Sequence, residues 1–176
     1  MSLTSIMSDA VSVLVSLQHI GIFALETLLF RSKGARAVFA RTKEGELHAT
    51  SPIMAQLGVY NFFLAFGVMY AVAKQDPYLK FIHLTYVIWA AAFGCGSYNY
   101  RLIFAQGAPA VLAWCLALQE LRDSRMYEQI DEWSIICWVG AVVLGLLGHL
   151  WKKRENSSNN EQKEAERNAG VETAKI

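Results

Sequence analysis

Two ionisable side chains stand inside a long apolar stretch near the start of this sequence. Glu26 is the one carboxylate deep in any such stretch, and His19 precedes it by seven residues, which is two helical turns and the same helical face. An ionisable residue at mid-helix in a membrane costs about 2.5 to 3.5 kcal/mol, so it indicates a function by default. The pair predicts proton transfer, with Glu26 as general acid or base and either His19 or Tyr60 as its partner.

Amide and hydroxyl side chains accompany Glu26 in other apolar stretches. Gln56, Tyr60 and Asn61 fall in the first turns of the second stretch, and Gln106 stands near the start of the fourth. If the N-terminus lies outside and the loop after the first stretch lies in the cytoplasm, all four reach the depth of Glu26. Because nothing local requires separate segments to agree, we predict one polar pocket. Tyr60 would be a further catalytic residue, and Asn61, Gln106 and Gln56 would bind substrate.

A structural interpretation of the same residues stays open. Amides and hydroxyls also tie membrane helices together through interhelical hydrogen bonds. Glu26 would then extend toward Arg31 at the membrane edge. His19 would be a packing histidine rather than a proton carrier.

Five apolar windows would position these residues. Of the 176 residues, 54% are hydrophobic and only 18% are charged, and about 20 apolar residues suffice for a helix to cross about 30 Å of hydrocarbon. A helix also satisfies its own backbone hydrogen bonds in lipid. We therefore predict an all-α integral membrane helix bundle over residues 1–151 and a polar, disordered tail over 152–176. The windows cover residues 10–30, 52–73, 78–96, 102–118 and 133–151.

Basic residues alternate between the loops and predict the orientation of the chain. The first loop is rich in Arg and Lys, and the tail opens with Lys152, Lys153 and Arg154, whereas no Lys or Arg precedes the first window. We expect the N-terminus outside or in the lumen and the C-terminus in the cytoplasm. The membrane would be the plasma membrane in a bacterium and the endoplasmic reticulum in a eukaryote.

Composition and motifs argue against several classes of function. The net charge of +1 gives no case for nucleic-acid binding. No phosphate-binding glycine loop, dinucleotide fingerprint or zinc-ligand spacing is present, so we predict neither a metal nor a cofactor. The three cysteines, Cys95, Cys115 and Cys137, all fall inside apolar windows and are expected to be small buried hydrophobes.

The chain resembles a family of small membrane proteins known as domain of unknown function 1304. The resemblance runs from about Val15 to Leu118 and implies a bundle of four spans, so the fifth window goes beyond it. It departs from the family pattern at Gln56-Leu57, where members carry Asn-Gln, and at Phe62, where they carry Gly. The matching positions are His19 and Glu26; Gly34, Arg36 and Phe39; Gly58-Val59-Tyr60-Asn61 with Leu64, Ala65 and Gly67; and Gln106 with Pro109-Ala110.

Three functions stay open at this point. The first is an intramembrane enzyme that acts on a small lipophilic molecule by isomerisation, cyclisation or epoxide opening, with Glu26 as the acid or base. The second is proton-coupled transport, although transport sites usually lie nearer the midplane. The third is an assembly or scaffold subunit whose polar face binds another membrane protein or a second copy of the chain. The lipid bilayer is a partner in all three.

Overall fold

The computed structural model describes residues 2–33, 47–97, 103–123 and 130–173. All regular secondary structure in these residues is helical. They form five α-helices and no strand, which confirms the predicted all-α bundle. We label the helices α1 (Leu3–Phe23), α2 (Leu47–Ala73), α3 (Pro77–Ser97), α4 (Ala108–Asp123) and α5 (Ile130–Thr173). Two π-helical turns adjoin them: Ala24–Leu28 continues α1, and Ile103–Gly107 leads into α4.

Four of the described helical segments are long and apolar enough to cross a membrane: Leu3–Leu28, Thr50–Ala73, Pro77–Gly96 and Ser134–Asn160. The remaining helix, α4, has 16 residues and ends in a polar turn that includes Glu120 and Arg122. The chain is therefore a multi-pass membrane protein. Its orientation and the identity of its membrane stay predictions.

The first four helices form a ring in chain order, with α1 against α2 and α4, and α3 against α2 and α4. α5 lies outside this ring and packs mainly on α3. α4 is held between its neighbours through a face of fully buried small residues, Ala110, Ala113 and Ala117. Small residues allow the close helix contacts that replace the hydrophobic effect inside lipid.

The turn between α2 and α3 is short and well defined. Gln75 closes α2 in the left-handed region, with φ of 53°. Asp76 Oδ1 then accepts hydrogen bonds from the backbone N–H groups of Tyr78 at 2.9 Å and Leu79 at 3.0 Å. With Pro77 at the first helical position, this is a favourable start for α3, and it makes α2 and α3 antiparallel neighbours.

α3 and α5 meet backbone to backbone at Gly96. A Cβ atom at this position would lie 2.2 Å from Gly145 O and 2.9 Å from His149 N. α5 itself continues without a break from the apolar span to Thr173. The division of the chain at residue 151 into a bundle and a disordered tail stays a prediction.

Candidate functional site

Glu26 lies in the π-helical turn that ends α1. In this turn the backbone N–H of Leu29 donates to Ala24 O at 2.9 Å, a spacing of five residues instead of four. π turns of this kind occur at helix C-termini, where they end the helix. The side chain of Glu26 is buried, with only 9% of its surface exposed. The carboxyl group therefore faces the bundle and not the lipid.

Asn61 of α2 holds the Glu26 carboxyl group. Its Nδ2 donates to Glu26 Oε2 at 2.8 Å and also lies 3.2 Å from Leu57 O in its own helix. A carboxyl oxygen can accept this hydrogen bond whether the group is protonated or ionised. Within the part of the chain that the structure describes, no residue donates to the second oxygen, Oε1. The arrangement fixes one carboxyl oxygen and leaves the other for a further partner.

Gly58 allows the π turn and α2 to approach closely enough for this hydrogen bond. A Cβ atom at Gly58 would lie 2.1 Å from Thr27 Oγ1 and 3.2 Å from Glu26 Cβ. Thr27 Oγ1 in turn donates to Ala55 O at 3.2 Å. Any side chain larger than a hydrogen atom at Gly58 would push the turn away, so the glycine positions Glu26 against α2.

Gln56 and Tyr60 form a second pair on α2, one turn apart. Gln56 Nε2 donates to the Tyr60 hydroxyl at 2.9 Å. Tyr60 is 54% exposed, so it faces outward from the bundle toward the lipid. Among the described contacts, no hydrogen bond joins this pair to Glu26. Both residues precede Asn61 along α2, and neither is hydrogen-bonded to the carboxyl group among the described residues.

Among the described residues, no hydrogen bond joins His19 or Gln106 to Glu26. His19 is buried, with 1% exposure, and its Nδ1 lies 3.0 Å from Val15 O. Seven residues along a helix correspond to about 10 Å, which separates His19 from Glu26. Gln106 lies half-buried in the second π turn, where the neighbouring Ala105 O accepts a hydrogen bond from Gln18 Nε2. Of the six predicted residues, the structure thus joins Glu26 with Asn61 and Gln56 with Tyr60.

A buried ion cluster at the other end of the bundle was missed from the sequence. Lys80 of α3 is 1% exposed, and its Nζ lies 2.7 Å from Asp9 Oδ1 and 2.8 Å from Glu120 Oε2. It also donates to Ser8 Oγ at 3.3 Å. The cluster ties α1, α3 and α4 together. The sequence did contain a signal for this cluster. Lys80 is the third residue of an apolar window, and Asp9 and Glu120 lie at the ends of two other windows on the same side of the membrane.

A cleft of about 260 Å³ lies between α3 and α5. Its walls are mostly apolar and aromatic, and Trp89 crosses it by donating from Nε1 to Cys137 O at 2.9 Å. None of the six predicted site residues lines this cleft, so the polar pocket stays a prediction. The lining residues are Tyr78, Phe81, Ile82, Thr85, Tyr86, Trp89, Ile136 and Cys137.

The fold and the Glu26–Asn61 contact together define a multi-pass membrane bundle with a ring of four helices, a buried carboxyl group in a π turn and one added helix. The chain belongs to the family described as protein of unknown function, DUF1304, whose model matches residues 13–118. This confirms the resemblance that the motifs indicate. The match ends inside α4, so α5 lies beyond the family's shared part.

One relative supports the same assignment. The chain is 31% identical over 112 residues to the uncharacterized protein YpaA of Lactococcus lactis subsp. lactis (strain IL1403), an alignment that covers 62% of this chain and 94% of that protein. No solved structure matches the chain significantly.

Proposed function

We propose that this protein is a membrane enzyme that acts on a small lipophilic molecule and exchanges a proton with it through the Glu26 carboxyl group. One observation carries the proposal: a buried carboxyl group stands in a π turn, with one oxygen held by Asn61 at 2.8 Å. A structural carboxylate in lipid would be expected to pair with a cation or to have both oxygens satisfied. Glu26 has neither among the described residues.

Reactions that suit such a site begin with transfer of a proton to the substrate and end with loss of a proton from it. A protonated Glu26 gives its proton to an alkene carbon or an epoxide oxygen of the substrate. Loss of a proton from a neighbouring carbon then completes an isomerisation or cyclisation and returns a proton to the enzyme. Atoms and charge balance without a further reactant, so the chemistry rests on general acid–base catalysis.

The neighbouring polar residues have distinct proposed roles. Asn61 is a positioning residue that orients the carboxyl group, and its Oδ1 is proposed to accept a hydrogen bond from a substrate hydroxyl group. The Tyr60 hydroxyl accepts from Gln56, so its own O–H remains to donate to substrate. Because Tyr60 faces outward, it stands where a lipophilic molecule would arrive from the bilayer. Gln106 is proposed to bind substrate from the second π turn, and His19 to exchange protons deeper in α1.

The test compares lipophilic metabolites in cells that carry the native protein, E26Q or no copy of the gene. E155Q is the matched control, because Glu155 is an exposed carboxylate on α5. We expect one compound to accumulate in both the E26Q and deletion cells, and another to disappear, while E155Q cells match the native ones. Identical profiles in all cells, with E26Q present in the membrane at normal level, would overturn the proposal.

A second candidate, an assembly subunit, is favoured by the outward face of α5. This helix packs on α3 along one side only, and its other side is exposed and apolar, as at Ile135 (64%) and Val142 (61%). Stoichiometric co-purification of another membrane protein in mild detergent, together with unchanged metabolites in E26Q cells, would favour this candidate over the enzyme.

A further inference from the structure

The buried face of α1 carries a line of polar side chains. Ser8, Ser12 and Ser16 have no exposed surface, and His19 is 1% exposed. Successive members stand three or four residues apart, so neighbouring Cβ atoms are about 5 to 6 Å apart. Groups that can hydrogen-bond therefore follow one another through the N-terminal half of the span, inside protein and away from lipid.

Ser12 shows that this line is more than a surface of small residues for helix packing. Ser16 Oγ donates to Ser12 O at 3.1 Å, but Ser12 Oγ itself has no hydrogen-bond partner among the described residues. A buried hydroxyl without a partner is costly in a protein interior. Such groups characteristically bind buried water. A water molecule at Ser12 would give this hydroxyl group the hydrogen-bond partner that it lacks.

His19 ends the line with a side chain that can carry a proton. A backbone carbonyl oxygen only accepts hydrogen bonds, so the contact of His19 Nδ1 with Val15 O at 3.0 Å assigns the hydrogen atom to Nδ1. In the neutral ring, Nε2 is then the acceptor. A proton that arrives through water and serine hydroxyl groups can bind at Nε2 and leave from it again.

The opposite end of the line reaches the buried ion cluster. Ser8 Oγ accepts from Lys80 Nζ at 3.3 Å, and Lys80 pairs with Asp9 and Glu120. The two carboxylates keep 16% and 10% of their side-chain surface exposed. They are therefore the members of this group that reach the surface of the bundle.

Phe23 stands between His19 and Glu26 along α1. Phe23 lies four residues after His19 and three before Glu26, on the same helical face. Its ring packs on Phe62 of α2 with 5.3 Å between ring centroids. Apolar constrictions of this kind keep water out of membrane pathways.

We propose that the buried face of α1 is a proton half-channel that leads from the Asp9–Lys80–Glu120 cluster to His19 and is closed toward Glu26 by Phe23 and Phe62. A proton passes along water and serine hydroxyl groups to His19 Nε2, and it returns by the same route while the aromatic pair is closed. The half-channel is a property separate from catalysis and does not depend on the proposed role of Glu26.

Proton flux into liposomes tests the half-channel. The purified full chain is reconstituted in phosphatidylcholine vesicles that contain a pH-sensitive dye, and a potassium diffusion potential drives protons inward. F23A removes one half of the closure, and F23A/H19Q also removes the proton carrier while keeping an amide that can donate to Val15 O. F66A is the matched control, because Phe66 is 60% exposed and packs on Tyr70.

We expect F23A to raise proton flux several-fold over the native protein and over F66A, and F23A/H19Q to return it to the native level. Equal flux in F23A and F23A/H19Q would mean a leak unrelated to His19 and would overturn the proposal. Native-level flux in a folded F23A would overturn it too. If F23A does not elute as a single folded species in detergent, F62A opens the same aromatic pair and the same outcomes apply.

Discussion

Removal of the Lys80 ammonium group should destabilise the bundle strongly. Lys80 is 1% exposed, and its Nζ is within 3.0 Å of Asp9 and of both Glu120 carboxylate oxygens. In K80M the two carboxylates, with 16% and 10% of their side-chain surface exposed, would lie beside each other without their shared cation. Breaking a buried ion pair by removing one partner costs about 3 to 5 kcal/mol. We expect K80M to lower the free energy of unfolding by an amount in this range.

The same structure predicts that the loss is recoverable. Replacing a whole buried ionic group by neutral side chains of similar size is often neutral or stabilising. D9N/K80M/E120Q should therefore be much more stable than K80M and close to the native protein. Lys74 supplies the control, because it is exposed and lies 5.6 Å from the Tyr70 ring. K74M should leave stability unchanged.

Unfolding of the purified protein in mixed detergent and SDS, followed by tryptophan fluorescence, measures these differences. Trp114 of α4 reports directly, because its ring packs on Phe81 of α3 at 4.9 Å between centroids, close to Lys80 in the chain. If K80M unfolded at the same SDS concentration as the native protein, the argument that Lys80 neutralises the two carboxylates would be refuted. A triple variant no more stable than K80M would refute the argument that uncompensated charge causes the loss.

Two pairs of glycine substitutions give further predictions. G58A places a methyl group 2.1 Å from Thr27 Oγ1 and should cost about 1 to 3 kcal/mol by overpacking; G21A, with nothing within 4 Å, should unfold like the native protein. G96A drives a methyl group into the backbone at Gly145 O and should loosen α5 from α3, measurable as faster proteolysis of α5. In G145A the added methyl group would lie 3.6 Å from its nearest atom, so α5 should be cleaved at the native rate. Equal cleavage rates of α5 in G145A and G96A would contradict this account.

The depth of residues could be predicted from the sequence, whereas their rotation around each helix could not. Hydropathy and loop charges place Glu26, Asn61 and Tyr60 at one level, and Asn61 does meet Glu26. Tyr60, one residue earlier, is turned by about 100° and faces outward. That rotation depends on how α2 packs against the π turn at Gly58. The π turn itself has no signature in hydropathy, because it changes hydrogen-bond spacing and not composition.

The Lys80 cluster was missed for a related reason. Lys80 lies near the start of the window 78–96, and Glu120 lies just after the window 102–118. A rule that counts basic residues in loops takes no account of an acidic partner in another segment. The structure shows instead that charges near the ends of three helices neutralise one another inside the bundle.

This cluster also accounts for the position of α4, whose length and composition alone do not favour a membrane span. The apolar half of α4 presents Ala110, Ala113 and Ala117 to its neighbours, where their small size permits close contact. Its polar end would be unfavourable there if Glu120 remained uncompensated, but Lys80 of α3 supplies the opposite charge. α4 is therefore stabilised by its contacts with the neighbouring helices of the ring rather than by lipid. Loss of Lys80 should weaken the attachment of α4 before that of the more apolar helices.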